Sequence, residues 1–592
     1  MASFLLDALN WPDDAGPFRI TNLALHLCNG LLIYLLVSRI VAIASPISRS
    51  AAFWISALWL VNPAHTATTL YVVQRMTLLS TFFMLVGLIA YVAGRHRYYE
   101  EKRAGIGLML GGLAVGAIIG SLAKENAATL PLIVLAFEFT IFGANAATPF
   151  IRAWRVTMLA PYFVLLATHL IPWSKYVDSF AWQPFTWWER ILTQPLVVGT
   201  YVKNTLAPSA QKIGIFNDQF SVVSNIFSEP VALFSLVAVG LAFALAIRVR
   251  RKYPVAALCV LSFFACHALE SSIFPLELYF EHRNYLASAA VIALAYMLLV
   301  SGLPSLKPGA KAAAGIGTLA ASAFITSGIA APWGDPTLGA IVWTSHFPDS
   351  VRARLMAAAT WSRQGQFVQA ERELTEGFRR NPSYLALRLQ ALKMRCMAGE
   401  DVTEQLMAVR QSARSAIIER LSLDTLTYLQ GLAQSGECSG LTIEAINDVA
   451  SQLIQNPQIN KAEFLGAYVW FIIGETSSDL GRLDAAFEAM DKVEAYRGDT
   501  RTAFWKAVWS INNGNPERAN EVLSQTRTGT QGNTTEDGKS REAVVIERII
   551  NANNSTSPNF SIVVDPVKLE QGAANIEIRP RGDKQNRIVV AQ

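Results

Sequence analysis

Two patterns of apolar residues divide this 592-residue chain near residue 330. Ahead of that point apolar residues gather in runs approaching membrane-spanning length; beyond it they recur at helical spacing among charges. The runs fall at 20–42, 51–61, 76–93, 106–122, 127–142, 156–171, 231–247, 255–269, 285–300 and 312–329. A bilayer core of about 30 Å takes about 20 helical residues, so the shorter runs must draw on polar sequence at their ends. Proline at the entry of several suits the first helical turn, where its missing N–H costs nothing. The pattern predicts an all-α chain, with a polytopic membrane helix bundle of about ten spans over residues 1–332 and a second helical domain after it.

That second domain, 345–525, reads as helical pairs. VRARLMAAATWSRQGQFVQAERELTEGFRRNPSY sets Ala358, Gly365, Phe367, Ala370, Phe378 and Pro382 where a tetratricopeptide repeat takes small and apolar residues, which let paired helices approach. LGRLDAAFEAMDKVEAY, with Gly481, Ala485 and Ala486, and INNGNPERANEVL, with Gly514, Ala519 and Leu523, carry weaker copies. Such repeats stack into an α-solenoid with a concave protein-binding surface. Residues 526–592 are low in complexity and rich in Asn, Thr, Gly and Ser, which predicts a partly disordered tail. Within it FSIVVDPV and NRIVVAQ read as short strands or binding segments.

Composition agrees with a membrane protein: 52% of residues are hydrophobic, 16% are charged and the mean hydropathy is +0.30. The net charge of +5 is modest and calls for no nucleic acid. Its cations are placed as orientation signals. Arg39 and Arg49, then Arg95, Arg97, Lys102 and Arg103, then Arg152 and Arg155 fall in every second loop. Arg248, Arg250, Arg251 and Lys252, then Lys307 and Lys311, continue the alternation, and the positive-inside rule makes these loops cytoplasmic. Loops around 63–74, 124–126, 173–229 and 270–284 then face outward, as do residues 1–19 and everything after Pro332. An outward N-terminus with no signal peptide or preceding span leads to the expectation of a further helix upstream.

Five cysteines show no metal-ligand spacing. Cys28, Cys259 and Cys266 lie in apolar runs as small hydrophobes. Cys396 and Cys438 form a disulfide if their domain faces an oxidising compartment.

Candidate chemistry gathers in the outward loops. Glu270, Glu277, Glu281, His282 and Arg283 crowd between two apolar runs, where charge is costly unless a polar cavity or the membrane surface receives it. NPAHTATTLYVVQRM supplies His65, Gln74 and Arg75, and SLAKENAATLP supplies Lys124, Glu125 and Asn126. The long loop holds Trp173, Trp182, Trp187 and Trp188, suited to a membrane interface, with Lys203, Lys212, Asn217 and Asp218. Its segment RILTQPLVVGTYVKNTLAP either lies along the membrane surface or packs on the other loops. The Lys124–Asn126 turn and the opening stretch either neutralise each other or form a cup for an anionic head group. A lone His65 is more often a satisfied turn residue than a catalyst, and Asn22 and His26 suit interhelical hydrogen bonds.

FRITNLALHLCNGLLIYLL, WLVNPAHTATTLYVVQRMTLLSTFFMLVGLIAYV and SLAKENAATLPLIVLAFE, followed by the repeats, resemble in that order bacterial relatives of the TMTC proteins. Those are membrane glycosyltransferases of the GT-C superfamily with C-terminal tetratricopeptide repeats. The resemblance covers residues 1–525 and implies a GT-C-like bundle using a polyprenyl-phosphate-linked sugar outside the cytoplasmic membrane. It places Gln74, Arg75 and the Lys124–Asn126 turn at the border of the active-site cavity. In FEHRNYL it makes Arg283 the holder of the lipid phosphate, with Glu281 and His282 beside it. Two departures stand out. The animal pattern His-Pro-x-His-x-Glu reads Asn62-Pro63-Ala64-His65-Thr66-Ala67 here, without the acid. The superfamily's carboxylate in the first outer loop has no clear counterpart, although Asp13 and Asp14 lie near that position; the resemblance therefore also predicts that the first span and first outer loop precede Met1.

The sequence thus predicts transfer of a sugar from a polyprenyl-phosphate donor to a protein or glycan hydroxyl, at the periplasmic face of a bacterial inner membrane. Glu281, His282 and Glu125 are the expected catalytic groups. Arg283, Lys124 and Arg75 are the expected phosphate ligands, and His65, Gln74, Asn126, Glu270 and Glu277 line the cavity. The repeats take a protein partner, membrane lipid surrounds the bundle, and a divalent metal ion stays open as a cofactor. A single displacement inverts the anomeric configuration. The alternatives are en bloc transfer or polymerisation of a lipid-linked oligosaccharide, or a non-catalytic scaffold.

Overall fold

The computed structural model describes residues 2–8, 14–44, 50–143, 148–180, 183, 185–209, 211, 213–218, 220–227, 229–302, 307–461, 463–497, 502–526, 560–564 and 576–580. Asp13, Arg49, Trp182, Lys212 and NRIVVAQ lie outside the described residues, as does most of the 526–592 tail. The elements are helical apart from strands Phe560–Val564 and Ile576–Pro580, which pair antiparallel. FSIVVDPV therefore contains a strand. The chain divides into two compact units, Met1–Ser350 and Val351–Gln592.

Six helices of the first unit are long and apolar enough to cross a membrane: Gly16–Ile43, Val72–Arg97, Lys102–Ala123, Pro149–Thr168, Pro230–Val249 and Pro308–Gly334. Three of the predicted runs form shorter apolar helices, Ser50–Leu60, Pro254–His267 and Ala287–Val300. The run at 127–142 becomes a 3-10 turn, Glu125–Thr129, and a ten-residue helix, Leu130–Phe139. The long helices carry exposed apolar side chains that no other element covers, such as Leu27 and Leu31, Phe234 (73% exposed) and Leu241, and Phe324 (79% exposed). A helix apolar all round yet unburied needs an apolar solvent. The chain is a membrane protein by that argument.

Inside the first unit, Trp59, Leu78, Leu85, Tyr91, Leu130, Val134 and Tyr285 pack one core. Helix Arg75–Arg97 meets the helical stretch from Lys102 to Ala123 backbone to backbone. A Cβ on Gly87 would lie 2.3 Å from the Gly112 carbonyl oxygen, and one on Gly94 2.7 Å from that of Gly105. The stretch widens into a π segment, Ala114–Ile119, whose Gly116 also faces Gly87. At one end of the helix, Arg95 and Arg155 turn inward onto Glu138. Arg95 Nε is 2.7 Å from Glu138 Oε1 and Arg155 Nη2 2.9 Å from Oε2, and Tyr91 donates to Oε1 at 3.0 Å.

The second unit is a run of helix–turn–helix pairs. They are Val351–Arg363 with Phe367–Arg380, Leu385–Met397 with Thr403–Ser412, Arg420–Ser435 with Ile443–Leu453, Glu463–Asp479 with Leu483–Arg497, and Thr502–Asn512 with Pro516–Thr526. The turn inside each pair carries a glycine at positive φ: Gly365, Gly399, Gly436, Gly481 and Gly514. A side chain would strain that backbone, which is why glycine marks each turn. Leu389, Leu392, Leu426, Leu429, Val449 and Ile472 are fully buried between the pairs. Cys396 and Cys438 are joined by a disulfide that ties the second pair to the turn of the third.

Candidate functional site

The site is built on residues 270–284, a non-helical stretch between helices Pro254–His267 and Ala287–Gly302. Its backbone is held by one buried cation. Arg190, 0% exposed, donates to the carbonyls of Glu270 (2.7 Å), Ser272 (3.0 Å), Glu277 (3.0 Å) and Leu276. Without such donors a buried loop would leave carbonyls unsatisfied. Burial pulls the Arg190 guanidinium down to about 10, and the Arg283 charge adds to the effect. Arg190 stands on helix Trp187–Leu206, whose start is fixed by a capping box between Thr186 and Glu189. Buried Thr193, Val197, Tyr201, Asn204 and Thr205 line the same helix. Of the two sequence readings of this segment, packing on the other loops is the one observed.

Glu281 opens a short 3-10 turn, Glu281–Asn284, and is 3% exposed. The backbone at Phe280 is extended, so Tyr279 and Glu281 point to the same side. The Tyr279 hydroxyl and Asn204 Nδ2 (3.0 Å) both donate to Glu281 Oε1, while Oε2 is buried without a partner among the described residues. Burial is the main effect on this carboxyl and pushes it up to about 7. Tyr201 stacks on His267 and Tyr279, with ring centroids 4.9 and 5.0 Å away, and donates to the Phe280 carbonyl at 3.0 Å. His282 stacks on Phe280; burial, then the charges of Lys124 and Arg283, keep it well below the usual imidazole range and hence neutral. Arg283, 9% exposed, lies over the Phe280 ring at 5.2 Å and donates to the Glu277 carbonyl.

The Lys124 turn joins this stretch directly. Lys124 Nζ is 3.3 Å from Glu270 Oε1 and donates to Thr77 Oγ1 at 3.2 Å. Thr77 donates to Gln74 Oε1 at 2.8 Å, and Ser80 to Asn126 Oδ1 at 2.7 Å. The second oxygen of Glu270 is buried with no hydrogen-bond partner among the described residues. Glu125, in the same turn, is exposed and makes no hydrogen bond or ion pair into the cluster among the described residues.

Two further residues of the expected site are held elsewhere. Arg75 is 0% exposed: Nε donates to Asn22 Oδ1 (3.0 Å), Nη1 to the Ser3 carbonyl (2.6 Å), and Nη2 to the Phe18 carbonyl (3.1 Å) and Asp7. Phe4 and Phe18 lie 4.9 and 5.3 Å from the same guanidinium. It anchors the opening stretch with four of its five N–H donors. His65 is buried, with Nδ1 2.9 Å from the Trp59 carbonyl and Nε2 2.9 Å from Ser288 Oγ. Burial, reinforced by the neighbouring His26, drives its imidazole well below the ordinary range. It locks a turn. His26, as expected, bridges helices through Tyr285 (2.8 Å) and the Leu60 carbonyl (2.9 Å).

Glu270, Glu277, Glu281, His282, Arg283, Lys124, Gln74 and Asn126 are therefore gathered at one end of the first unit, tied through Thr77, Ser80, Arg190 and Asn204. Sequence reasoning missed Arg190, Asn204, Tyr279 and Asp7. Arg190 had a signal, since a cation on the apolar face of an amphipathic helix must have acceptors waiting; Asp7 had none. Among the described residues no group of three or more His, Cys, Asp or Glu is arranged to hold a metal ion. No family model matches the chain, and it has no match among curated proteins.

Proposed function

We propose that the chain is a membrane glycosyltransferase with a GT-C-like bundle and a tetratricopeptide-repeat solenoid, moving a sugar from a polyprenyl-phosphate donor to a protein or glycan hydroxyl. The observation that carries this reading is Glu281, a buried carboxyl at about 7, on the same 270–284 stretch as the cation Arg283 and as Glu270, to which Lys124 is tied. A base poised near neutrality and fixed positive charge for a departing phosphate are what the reaction requires. The acceptor hydroxyl oxygen bonds to the anomeric carbon and its proton passes to Glu281. The bond from that carbon to the phosphate oxygen breaks, and the lipid phosphate leaves with the electron pair. Inversion at the anomeric carbon follows from one displacement. Glu281 is closed off in this conformation, so entry of the acceptor requires the 270–284 stretch to open.

Five glycine turns support the solenoid reading, all but the interval from Gly436 to Gly481 lying near the period of about 34 residues. The disulfide supports a periplasmic or extracytoplasmic position for the repeats, since such bonds persist in oxidising compartments. The positive-inside pattern supports the same side, the outer face of a bacterial cytoplasmic membrane, for the Glu281 cluster.

One observation favours the scaffold reading instead: Lys124 is already neutralised by Glu270, and Arg75 by Asp7. Separate variants discriminate the two in cells. Under the transferase reading, Arg283→Ala and Lys124→Ala each abolish the glycosylation phenotype while the protein still reaches the membrane. If both leave it intact and substitutions in the repeats abolish it, the scaffold reading replaces this one.

A further inference from the structure

The basic loops of the first unit do not handle their charge alike. Arg95 and Arg155 are buried on Glu138, and Arg97 pairs with Glu101. The end of helix Pro230–Val249 and the loop after it carry Arg248, Arg250, Arg251 and Lys252, and none of these makes an ion pair with a carboxylate among the described residues. Arg250 donates to the Ile247 carbonyl at 2.6 Å and Lys252 lies 5.3 Å from the Tyr253 ring; both contacts leave the charge uncompensated.

Three of these cations share one groove. Arg248, Arg250 and Arg251 line an open cavity of about 660 Å³ whose other walls are Phe243, Ala244 and Ile247. The apolar wall continues along the same face of the helix through exposed Leu233, Leu236 and Val237. An uncovered apolar helix face leading into three guanidiniums matches one class of ligand in both halves. The acyl chain of a phospholipid covers the face, and its phosphate meets the guanidiniums, whose forked donors fit phosphate oxygens in pairs. Cations at the end of a span also sit where head groups lie.

We propose that this groove is a binding site for an anionic phospholipid, with the head-group phosphate on Arg248, Arg250 and Arg251 and an acyl chain along Phe243 and the helix above it. A zwitterionic lipid fits less well, because its own ammonium would enter a field of four cations. The site rests on the membrane character of the first unit and not on the transferase reading.

The full-length protein in detergent, titrated with phosphatidylglycerol, phosphatidylcholine or inorganic phosphate and read by native mass spectrometry, tests it. Phosphatidylglycerol is expected to bind the wild type more tightly than either competitor. Removing a surface cation costs roughly fivefold, so the R248Q/R250Q/R251Q variant should lose about a hundredfold. R103Q, a basic-loop change outside the groove, should lose nothing, and an unchanged melting temperature of the triple variant assigns its loss to the groove. Equal affinity for phosphatidylcholine, or undiminished phosphatidylglycerol binding by the triple variant, overturns the proposal. Inorganic phosphate binding as tightly as the lipid overturns the lipid assignment.

Discussion

Glu281 shows how one residue's surroundings set its chemistry. Its carboxyl is raised to about 7 by burial, against 4.5 for the ordinary group. A raised acid subtracts stability as pH climbs: the unfolded chain ionises near 4.5 while the folded carboxyl resists until about 7. The cost is absent below pH 4.5, grows between 4.5 and 7, and is fully present above 7. It amounts to on the order of 3 kcal/mol. Glu281→Gln, which keeps the Oε1 acceptor and cannot ionise, should therefore raise the melting temperature at pH 8 and leave it nearly unchanged at pH 4.5. As the proposed base, Glu281 must be ionised, so transfer should rise with pH through about 7 and vanish in Glu281→Gln. A variant that is more stable yet inactive would separate a poised base from a structural acid. Little of this was legible in the sequence. The charges of FEHRNYL stood out, but Tyr279 and Asn204, which hold the carboxyl, come from an extended neighbour and a distant helix. Arg75 went the other way: its cation was visible, while the Asn22, Ser3, Phe18 and Asp7 acceptors that occupy it were not.

At the scale of elements, buried charge and close backbone contact fix how helices meet. Glu138 neutralises two buried arginines, so Glu138→Ala strands both and should destabilise by about 3–5 kcal/mol, read as a lower melting temperature in detergent. Gly87→Ala forces a methyl against the Gly112 carbonyl and should cost about 1–3 kcal/mol through helix separation. In the second unit, the Cys396–Cys438 bond closes a long loop across two helix pairs. Replacing both cysteines with alanine should cost about 2–4 kcal/mol, seen in a denaturant titration, and thiol alkylation of the wild type should label neither sulfur. Helical pairing was readable from Gly365, Gly481 and Gly514 because glycine at a left-handed turn leaves a mark in sequence. Gly399 and Gly436 make the same turn without the flanking small residues, and went unnoticed for that reason. The runs at 51–61, 255–269 and 285–300 read as spans by composition but form shorter apolar helices; the polar stretches at 62–65 and 270–284 bound the first two.

For the whole molecule, the two-part character was plain from the change in apolar pattern, since a membrane helix and a packed helical pair bury their residues differently. The gathering of the 74–77, 124–126 and 270–284 segments into one cluster was visible only as a shared side of alternating loops. Its cohesion depends on Arg190, on a helix whose membrane-surface reading was equally open. Sidedness belongs to this scale. A cysteine introduced at Ser345, in the first unit, should react with a membrane-impermeant maleimide in intact spheroplasts, and one at Lys311 only after lysis.

The most direct measurement is transfer itself. Full-length protein in proteoliposomes would be given polyprenyl-phosphate sugars carrying a labelled monosaccharide, together with envelope protein and glycan acceptors, and the label in product counted. The account predicts transfer by the wild type that rises through pH 7 and is lost in Glu281→Gln and Arg283→Ala. Label moved equally well by those two variants, or by neither them nor the wild type with any donor, would contradict it.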